Sequence, residues 1–310
     1  MRSDRVRRDS QDLERWCEIY VSGRTLDGGG YESAPSLASQ LRAFRAADAE
    51  YFGAWLNQQL VGVASVRASN PAESFTRIYV EPSARRMGAG RTLADQVLSW
   101  SSDRGCHCVK SIVLADSAGE RFAVALGSEI ELHLVTVVRD LHETLFAVPM
   151  PTGVRLQRWR DGTPEELLDA YAVLRRTVGD APDAALQMNA SARDAAWIRT
   201  WEATRTATGD QLWVCAAVAQ GSGELVAFTE AQVPTAGDAQ QHDTAVLPDW
   251  RGRGMARWLK TDMLSWLREE RPGVKTLSST INKRNTPMLR VSAKVGFRET
   301  WHRKLVAMRV

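Results

Sequence analysis

Residues 251–257 read Arg-Gly-Arg-Gly-Met-Ala-Arg and lie between a strand-like pattern and a helix-like pattern. The strand-like residues 243–247 come first, and Pro248 and Asp249 are turn residues. Apolar residues then recur at helical spacing over 255–270. The first turn of a helix has free backbone N–H groups and the positive end of the helix dipole, and glycines let a phosphate approach them. Residues 251–257 therefore predict an anion-binding turn, which we call the second cradle.

Another copy of this pattern lies earlier in the chain, at residues 85–91, which read Arg-Arg-Met-Gly-Ala-Gly-Arg and form the first cradle. Gly88 and Gly254 lie 166 residues apart, and so do Pro82 and Pro248. An offset that stays nearly constant over half a chain indicates a duplicated domain rather than two chance motifs.

The duplication predicts an α/β protein with two tandem domains, each a mixed, mostly antiparallel sheet flanked by helices. We expect the N-terminal domain at residues 1–141 and the C-terminal domain at 154–310, with a linker that contains proline and glycine at 142–153. A strand at 131–138 is expected to close the first copy, and a strand at 301–310 the second.

The second copy carries a helix-start signal at residues 163–166, which read Thr-Pro-Glu-Glu. A threonine three residues before a glutamate is the pattern of a capping box, and proline favours the first helical position. We therefore predict a capped helix that runs to about Val178, followed by a break at 179–183, where the second copy holds extra residues.

The composition restricts the kinds of partner that this protein is expected to have. The net charge of +3 over 310 residues is too small to indicate nucleic acid. Residues 1–15 lack the apolar run of a signal peptide, and no stretch approaches the length of a membrane span, so we expect a cytoplasmic protein with no membrane partner. The segment Cys106-His107-Cys108 has no second ligand pair at zinc spacing, so we expect no metal site.

The cradle spacing resembles the acyl-CoA signature R/Q-x-x-G-x-G/A of the GNAT acetyltransferases, with Arg251, Gly254 and Ala256 at its three positions. The order of elements is also similar over nearly the whole chain, as a tandem of two GNAT domains. The resemblance implies that the strand before each cradle diverges from its neighbour, and that the arm of the cofactor lies in the gap. It also implies that the backbone N–H near Val246 holds the thioester carbonyl.

The cofactor implied by this resemblance is acetyl-CoA or another short acyl-CoA. In the second copy the residues expected to bind it are Val246, Arg251, Gly252, Arg253, Gly254, Met255, Ala256, Arg257, Asn282 and Asn285. In the first copy they are Val80, Arg85, Arg86, Met87, Gly88, Ala89, Gly90 and Arg91. The asparagines suit either hydrogen bonds to the cofactor amides or the cap of a helix.

The family commonly uses a tyrosine of the last helix as the acid that protonates the leaving thiolate. At the matching positions this chain has Ala123 and Ser292. Ser292 is therefore a catalytic candidate only as a group that positions water, and a serine on the helix surface is the alternative.

Carboxylates distinguish the two copies. Glu230 and Asp243 lie on strands of the second copy, and the first copy has Ser65 and Arg77 at those positions. The family commonly uses a carboxylate, or a water that one holds, as the base, so we expect catalysis in the second copy. The alternatives are a solvent-facing strand edge and a structural hydrogen bond, and His242 is a competing base.

Substrate contacts are predicted on the helix and loop that precede these strands. Trp197 and Trp201 lie four residues apart and suit the wall of an apolar or cationic substrate site, or else the core. Asp180 and Asp183 suit a partner for a basic substrate, or else ordinary turn chemistry. We therefore expect a small-molecule amine as the acceptor.

Together these features predict an N-acyltransferase that moves an acetyl group from acetyl-CoA to an amine. The first copy keeps a complete cradle without an obvious base, so it either binds acyl-CoA structurally or acts on its own. The alternative is a catalytically inactive tandem that senses acyl-CoA or binds a partner protein. The acceptor and the oligomeric state do not follow from the sequence.

Overall fold

The computed structural model describes residues 1–7, 10–27, 37, 40, 41, 44, 49–180, 194–207, 209–235 and 237–310. These residues form two compact units. Unit 1 comprises Met1–His133 and His302–Val310, and unit 2 comprises Leu134–Trp301. Within the described ranges, no helix is both long and apolar enough to cross a membrane.

Unit 1 contains a mixed sheet with three described helices. Its strands, in their order across the sheet, are β1 (Arg2–Arg5), β2 (Glu50–Leu56), β3 (Gln59–Asn70), β4 (Glu73–Val80), β5 (Cys108–Leu114) and β12 (Arg298–Arg309). The helices are α1 (Leu13–Asp27), α2 (Ala89–Ser102) and α3 (Ala118–Ala125). Neighbouring strands are antiparallel except β4 and β5, which are parallel.

Unit 2 repeats this architecture. Its strands, in their order across the sheet, are β6 (Glu129–Asp140), β11 (Thr276–Asn282), β10 (Ala239–Val246), β9 (Leu225–Val233), β8 (Gln211–Ala219) and β7 (Val154–Arg160). The helices are α4 (Leu168–Arg176), α5 (Ala195–Thr206), α6 (Met255–Glu270) and α7 (Thr286–Lys294). Here β10 and β11 are the parallel pair, so each unit has one parallel pair, at the strand that precedes its cradle.

Helix α6 shows how sequence pattern becomes core in unit 2. Leu259, Met263 and Leu267 recur at the spacing of one helical face, and all three are fully buried in the main hydrophobic cluster. Burying one such side chain contributes about 1.5–3 kcal/mol, so this face fixes α6 against its sheet. The start of α6, which carries the second cradle, is therefore held in place by the core.

Most of the last strand of each copy lies in the unit of the other copy: β6 belongs to unit 2 from Leu134 onward, and β12 belongs to unit 1 from His302 onward. Residues 134–140 of β6 pair with β11 in unit 2, and residues 303–309 of β12 pair with β5 in unit 1. The prediction that each copy is closed by its own last strand is therefore wrong. The reason is that the two strands occupy equivalent positions in the repeat, so their patterns do not specify which sheet they join. The domain bounds 1–141 and 154–310, with the linker 142–153, stay a proposal about the duplicated sequence.

The capping box predicted at Thr163 is also wrong. Both the backbone N–H and the hydroxyl of Thr163 bind Glu202 Oε1 on α5, at 2.8 and 2.6 Å. Pro164 instead precedes a short 3-10 turn, and α4 begins after it without a side-chain cap. A tertiary hydrogen bond to Glu202, in a buried place, has replaced the local one.

Candidate functional site

A slot opens in each sheet where the parallel strands diverge. In unit 2, β10 pairs with β11 only as far as Gln241 and then continues to Val246 paired with β9 alone. In unit 1, β4 pairs with β5 only as far as Phe75. The slot of unit 1 contains a cavity of about 90 Å³ with mostly apolar lining, including Ile78, Ala94, Phe122 and Met308. The divergence that the resemblance implied is therefore present in both units.

Strand β10 carries a β-bulge that β4 lacks. The pairing of β10 with β9 shifts register between Gln241 and Thr244, so His242 and Asp243 lie at the irregularity. The equivalent stretch of β4 around Arg77 pairs with β3 without a shift. A bulge re-aims side chains and interrupts the hydrogen-bond ladder, and bulges are over-represented next to active sites. The two units therefore differ at the place where their strands separate.

Each cradle presents backbone N–H groups that the fold does not use. Among the described residues, the N–H groups of residues 252–257 and of residues 86–91 donate no hydrogen bond to a backbone carbonyl. Gly252 and Gly254 have φ of 78° and 83°, and a Cβ added at either would meet nothing within 4 Å. Such a turn at a helix start is an open concavity suited to a phosphate.

The first cradle reaches the same shape with a less favourable residue. Gly88 has φ of 94°, which matches Gly254, but Arg86 takes φ of 68° at the position of Gly252. A residue with a Cβ rarely adopts this left-handed conformation. Its retention in unit 1 means that the turn is held by the elements around it.

Arginines border both cradles. The Nε of Arg251 donates to the carbonyl oxygen of Val246 at 3.0 Å, and Arg85 does the same to Val80 at 3.1 Å. The other exposed arginines are Arg253 and Arg257 at the second cradle and Arg86 and Arg91 at the first. Of the side chains predicted to bind the cofactor, that of Met255 is buried in the core, so only its backbone faces the turn.

Asp180 lies at the second cradle. Its Oδ2 accepts a hydrogen bond from Arg251 at 3.0 Å, and both side chains are about half exposed. The sequence suggested either a partner for a basic substrate or turn chemistry for Asp180, and in the structure it pairs with the cradle arginine Arg251. Asp183 lies outside the described residues.

Glu230 and Asp243 both contact the guanidinium of Arg175, which was not among the residues predicted from the sequence. Arg175 on α4 is fully buried; its Nη1 contacts Glu230 Oε2, and its Nη2 donates to Asp243 Oδ2 at 3.0 Å. Tyr171 donates to the same Glu230 oxygen at 2.8 Å. Glu230 has no exposed surface, whereas the Asp243 side chain is 15% exposed. Only Asp243 can therefore reach a ligand without rearrangement.

Burial dominates the electrostatics of this cluster. Burial raises the pKa of Glu230 above its ordinary value, and the opposite charge of Arg175 acts against that rise. Burial acts to lower the pKa of Arg175, but the nearby acidic groups outweigh it and raise that pKa, so the guanidinium stays charged. Burial raises the pKa of Tyr171 well above its ordinary value, so one cation faces two acids.

The competing base His242 is held as a neutral imidazole. Its Nε2 is 3.1 Å from Gln232 Oε1, and burial together with Arg205 lowers the pKa of His242 to about 3. The imidazole is therefore neutral at neutral pH, and His242 stays the competing candidate base.

The two tryptophans stack on each other beside Arg175. The rings of Trp197 and Trp201 are nearly parallel, with centroids 6.1 Å apart, and both are half-buried. Arg175 lies over Trp201 at 4.4 Å and over Trp197 at 5.4 Å. The cation that these rings face is therefore supplied by the protein itself.

Helix α7 holds the other predicted site residues. Ser292 is 1% exposed, and its Oγ has no hydrogen-bond partner among the described residues, so the alternative of a surface serine is excluded. The Asn285 side chain caps α7 by accepting from the N–H of Met288 at 3.2 Å. Asn282 Oδ1 accepts from the N–H of Arg284 at 3.0 Å. Asn285 is therefore the cap of α7, and Asn282 stabilises the turn that precedes this helix.

Lys260, a buried lysine on α6, was also not among the residues predicted from the sequence. Lys260 Nζ donates to Gln241 Oε1 at 2.5 Å, and Gln241 in turn donates to Thr229 Oγ1 at 2.8 Å. Thr229 Oγ1 lies 2.7 Å from Thr244 Oγ1, so this chain of polar groups connects α6 with both ends of the bulge. Burial lowers the pKa of Lys260 to about 7.

A signal for Arg175 was present in the sequence. Arg175 lies four residues after Tyr171 and three before Val178, on the apolar stripe of α4. A cation in such a stripe requires a buried anion. Glu230 was already a candidate strand carboxylate, so the pair could have been proposed.

The chain is similar to one known protein family. A family model described as the acetyltransferase (GNAT) family matches residues 13–126 and 182–297. A search of curated proteins gave no significant match.

Several solved structures share the fold. A tandem GNAT protein from the clavulanic acid biosynthesis pathway, determined without AcCoA, superposes with a TM-score of 0.83 at 19% identity, covering 99% of this chain and 98% of that chain. A GCN5-related N-acetyltransferase from Sphaerobacter thermophilus has a TM-score of 0.70 at 19% identity, with 99% and 95% covered. A GNAT-family acetyltransferase from Colwellia psychrerythraea has a TM-score of 0.58 at 16% identity, with 100% and 99% covered. At these identities the similarity establishes the fold alone.

Proposed function

The chain belongs to the acetyltransferase (GNAT) family, and from this premise we propose that it is an acyl-CoA-dependent N-acyltransferase. In the proposed reaction an acetyl group moves from acetyl-CoA to an amine of a small molecule, and unit 2 is the catalytic unit. The observation that supports the assignment to unit 2 is the bulge in β10, because Asp243 lies in it, two residues past the last pair between β10 and β11. Unit 1 has Arg77 at that position and no register shift there.

The second cradle fits the diphosphate of CoA. Its N–H groups make no backbone hydrogen bond among the described residues, and its glycines leave open space where a side chain would project. Arg251, Arg253 and Arg257 add positive charge at the same turn. Acetyl-CoA would supply the acetyl thioester, and the divergence of β10 from β11 gives its arm a path into the sheet.

The chemistry assigned to the protein is a proton transfer. An amine must lose a proton to attack a thioester, and Asp243 is the carboxylate with exposed surface, so it accepts that proton directly or through one water. Ser292 stays a proposed site for positioning water, because its buried hydroxyl has no partner in the described structure. Trp197 and Trp201 are proposed to border the acceptor through their exposed edges.

Unit 1 is proposed to bind acyl-CoA as well. Its cradle repeats the shape of the second, and the apolar cavity of about 90 Å³ in its slot suits the cofactor arm. Counting bound CoA by native mass spectrometry tests this point. Two CoA molecules per chain are expected at saturation, and one would leave the first cradle with a role in folding only.

A second candidate function has a specific observation in its favour. Both strand carboxylates contact Arg175, and neither copy has a tyrosine at the matching position of its last helix. A tandem that binds acyl-CoA without transferring it would tolerate both features. Such a protein would act as a sensor or bind a partner protein.

One experiment separates the two functions. Purified protein is incubated with acetyl-CoA and a panel of primary amines, free thiol is followed, and acetylated products are identified by mass spectrometry. Amine-dependent thiol release that falls in Asp243→Asn supports the acyltransferase. Tight acetyl-CoA binding without any acetylated amine supports the sensor instead.

A further inference from the structure

Arg175 is held more tightly than a simple ion pair requires. Four aromatic rings surround its guanidinium at 4.4–5.6 Å, and they are Trp201, Trp197, Tyr171 and Phe228. A planar guanidinium stacks well on such rings, and its fork of donors has a fixed geometry. The side chain is therefore fixed in orientation as well as in position.

Arg175 binds the side chain of Asp243, and Glu230 contacts its backbone N–H. Arg175 Nη2 donates to the Asp243 side chain at 3.0 Å, and the Asp243 backbone N–H lies 3.4 Å from Glu230 Oε1. The Asp243 backbone lies at the bulge, where the ordinary ladder of hydrogen bonds is interrupted. Glu230 therefore supplies an acceptor for the Asp243 backbone N–H, which lies at the break in the regular strand pairing.

We propose that Arg175, with Glu230 as its partner, is a positioning residue that holds Asp243 in the orientation and the ionised state that a base requires. This inference rests on the proposed function of unit 2. In it, Glu230 is not the base, because it is fully buried and occupied by Arg175 and Tyr171. Stability alone is a weak reason for such a buried pair, since apolar replacements of buried ion pairs are often as stable.

The charged groups around Asp243 define the expected effect. Arg175 contacts it from α4 and Glu230 from β9, and His242 precedes it on β10. Tyr171 of α4 binds Glu230, and Arg205 of α5 acts on His242. Arg175 is the cation in direct contact with Asp243. Without Arg175, two carboxylates would lie side by side, and such pairs hold a proton to higher pH. Arg175→Met should therefore raise the pH at which Asp243 becomes protonated by about one to three units.

The first test is independent of activity. Protein labelled with ¹³C at the aspartate carboxyl carbon is titrated by NMR, and Asp243→Asn assigns the Asp243 signal. The titration midpoint should move upward in Arg175→Met, and it should move less in Arg175→Met/Glu230→Gln, which removes both charges. The double variant also serves if the single variant fails to fold. An Asp243 midpoint that is the same in all three proteins overturns the proposal.

The second test follows the reaction. The acid limb of the pH profile of kcat should shift in Arg175→Met by the amount that the NMR midpoint shifts, and Arg175→Lys should restore the limb while leaving kcat low. The matched control is Arg176→Met, because Arg176 is the next residue of α4 and is exposed. An acid limb that stays fixed while the midpoint moves also overturns the proposal. If wild type acetylates no amine, the proposed function fails, and the NMR titration still decides whether Arg175 controls Asp243.

Discussion

The Nε of Arg251 and the carbonyl oxygen of Val246 are joined by a hydrogen bond of 3.0 Å, which ties the second cradle to the last residue of β10. The same bond joins Arg85 to Val80 in unit 1. Because β10 also carries Asp243, the bond fixes the distance between the anion-binding turn and the proposed base. A change at the cradle that keeps this bond should therefore leave the position of Asp243 unchanged.

Gly254→Glu should abolish CoA binding in unit 2. The new carboxylate would project into the space proposed for the diphosphate and repel it, and the left-handed φ of 83° would add a strain of about 1 kcal/mol. Calorimetry should find one CoA site fewer than in wild type. Gly273→Glu, which adds the same charge to an exposed turn of unit 2, should bind normally. Unchanged stoichiometry and affinity in Gly254→Glu would refute the cradle assignment.

Asp180→Asn should tighten CoA binding about two- to fivefold at low salt. Asp180 competes with phosphate for Arg251, and exposed pairs of this kind are worth less than about 1 kcal/mol. The gain should shrink as salt screens the charges. Asp169→Asn removes an exposed charge elsewhere in the same unit and is the control. Weaker binding in Asp180→Asn would mean that Asp180 orients Arg251 for the ligand.

Asp243→Asn should reduce turnover about a hundredfold or more at neutral pH, within the usual range for general base catalysis. The loss should shrink at high pH, where more of the amine is free. Glu230→Gln should cost less, because Glu230 has no exposed surface to offer a substrate. Glu166→Gln, an exposed carboxylate of unit 2, is the control. Should both variants keep the turnover and pH profile of wild type, neither residue is the base and His242 becomes the next candidate.

Ser292→Ala should leave the free energy of unfolding unchanged or raise it by up to about 1 kcal/mol. A buried hydroxyl without a partner costs stability, and alanine removes it at nearly the same volume. If Ser292 positions water for the reaction, turnover should fall although stability does not. Urea unfolding and steady-state kinetics on the same preparation give both values. Full turnover in Ser292→Ala would remove Ser292 from the site.

Lys260 should make the stability of the protein depend on pH between about 7 and 10. Its pKa is lowered from 10.5 in the unfolded chain to about 7 in the folded protein, so the unfolded chain binds more protons across that window. Stability should therefore rise with pH, by at most about 1.4 kcal/mol per unit relative to Lys260→Met. Urea unfolding at several pH values measures this, with the exposed Lys283→Met as control. Parallel stability curves for wild type and Lys260→Met would contradict it.

Much of the fold follows from local pattern. The helix predicted from apolar spacing over 255–270 is observed as α6 (Met255–Glu270). The constant offset of the repeat located both cradles and both diverging strand pairs. What the pattern left open is pairing between distant segments. The destinations of β6 and β12 depend on contacts more than a hundred residues apart, about which periodicity carries no information.

The candidate site was predicted only in part, because contacts between distant residues again decide its arrangement. Glu230 and Asp243 were identified because the first copy has Ser65 and Arg77 at the matching positions, and the structure places the two acids together. Their partner Arg175 lies on the apolar stripe of α4, but its position on the helix does not say which distant anion it contacts. The hydroxyl of Thr163 was assigned to a local cap, whereas Glu202, 39 residues away, binds it. Tertiary partners decided both cases.

The exchanged last strands constrain the order of events during synthesis on the ribosome. The edge of β5 receives residues 303–309 of β12, which are synthesised after the helices and the other strands of unit 2. The N-terminal copy therefore cannot complete its sheet until the C-terminal copy has been translated, even though its first strands have long been available. During that interval the edge of β5 is an unpaired template of the kind that promotes aggregation, so chaperone binding to the nascent chain should persist until residues 303–309 have been synthesised.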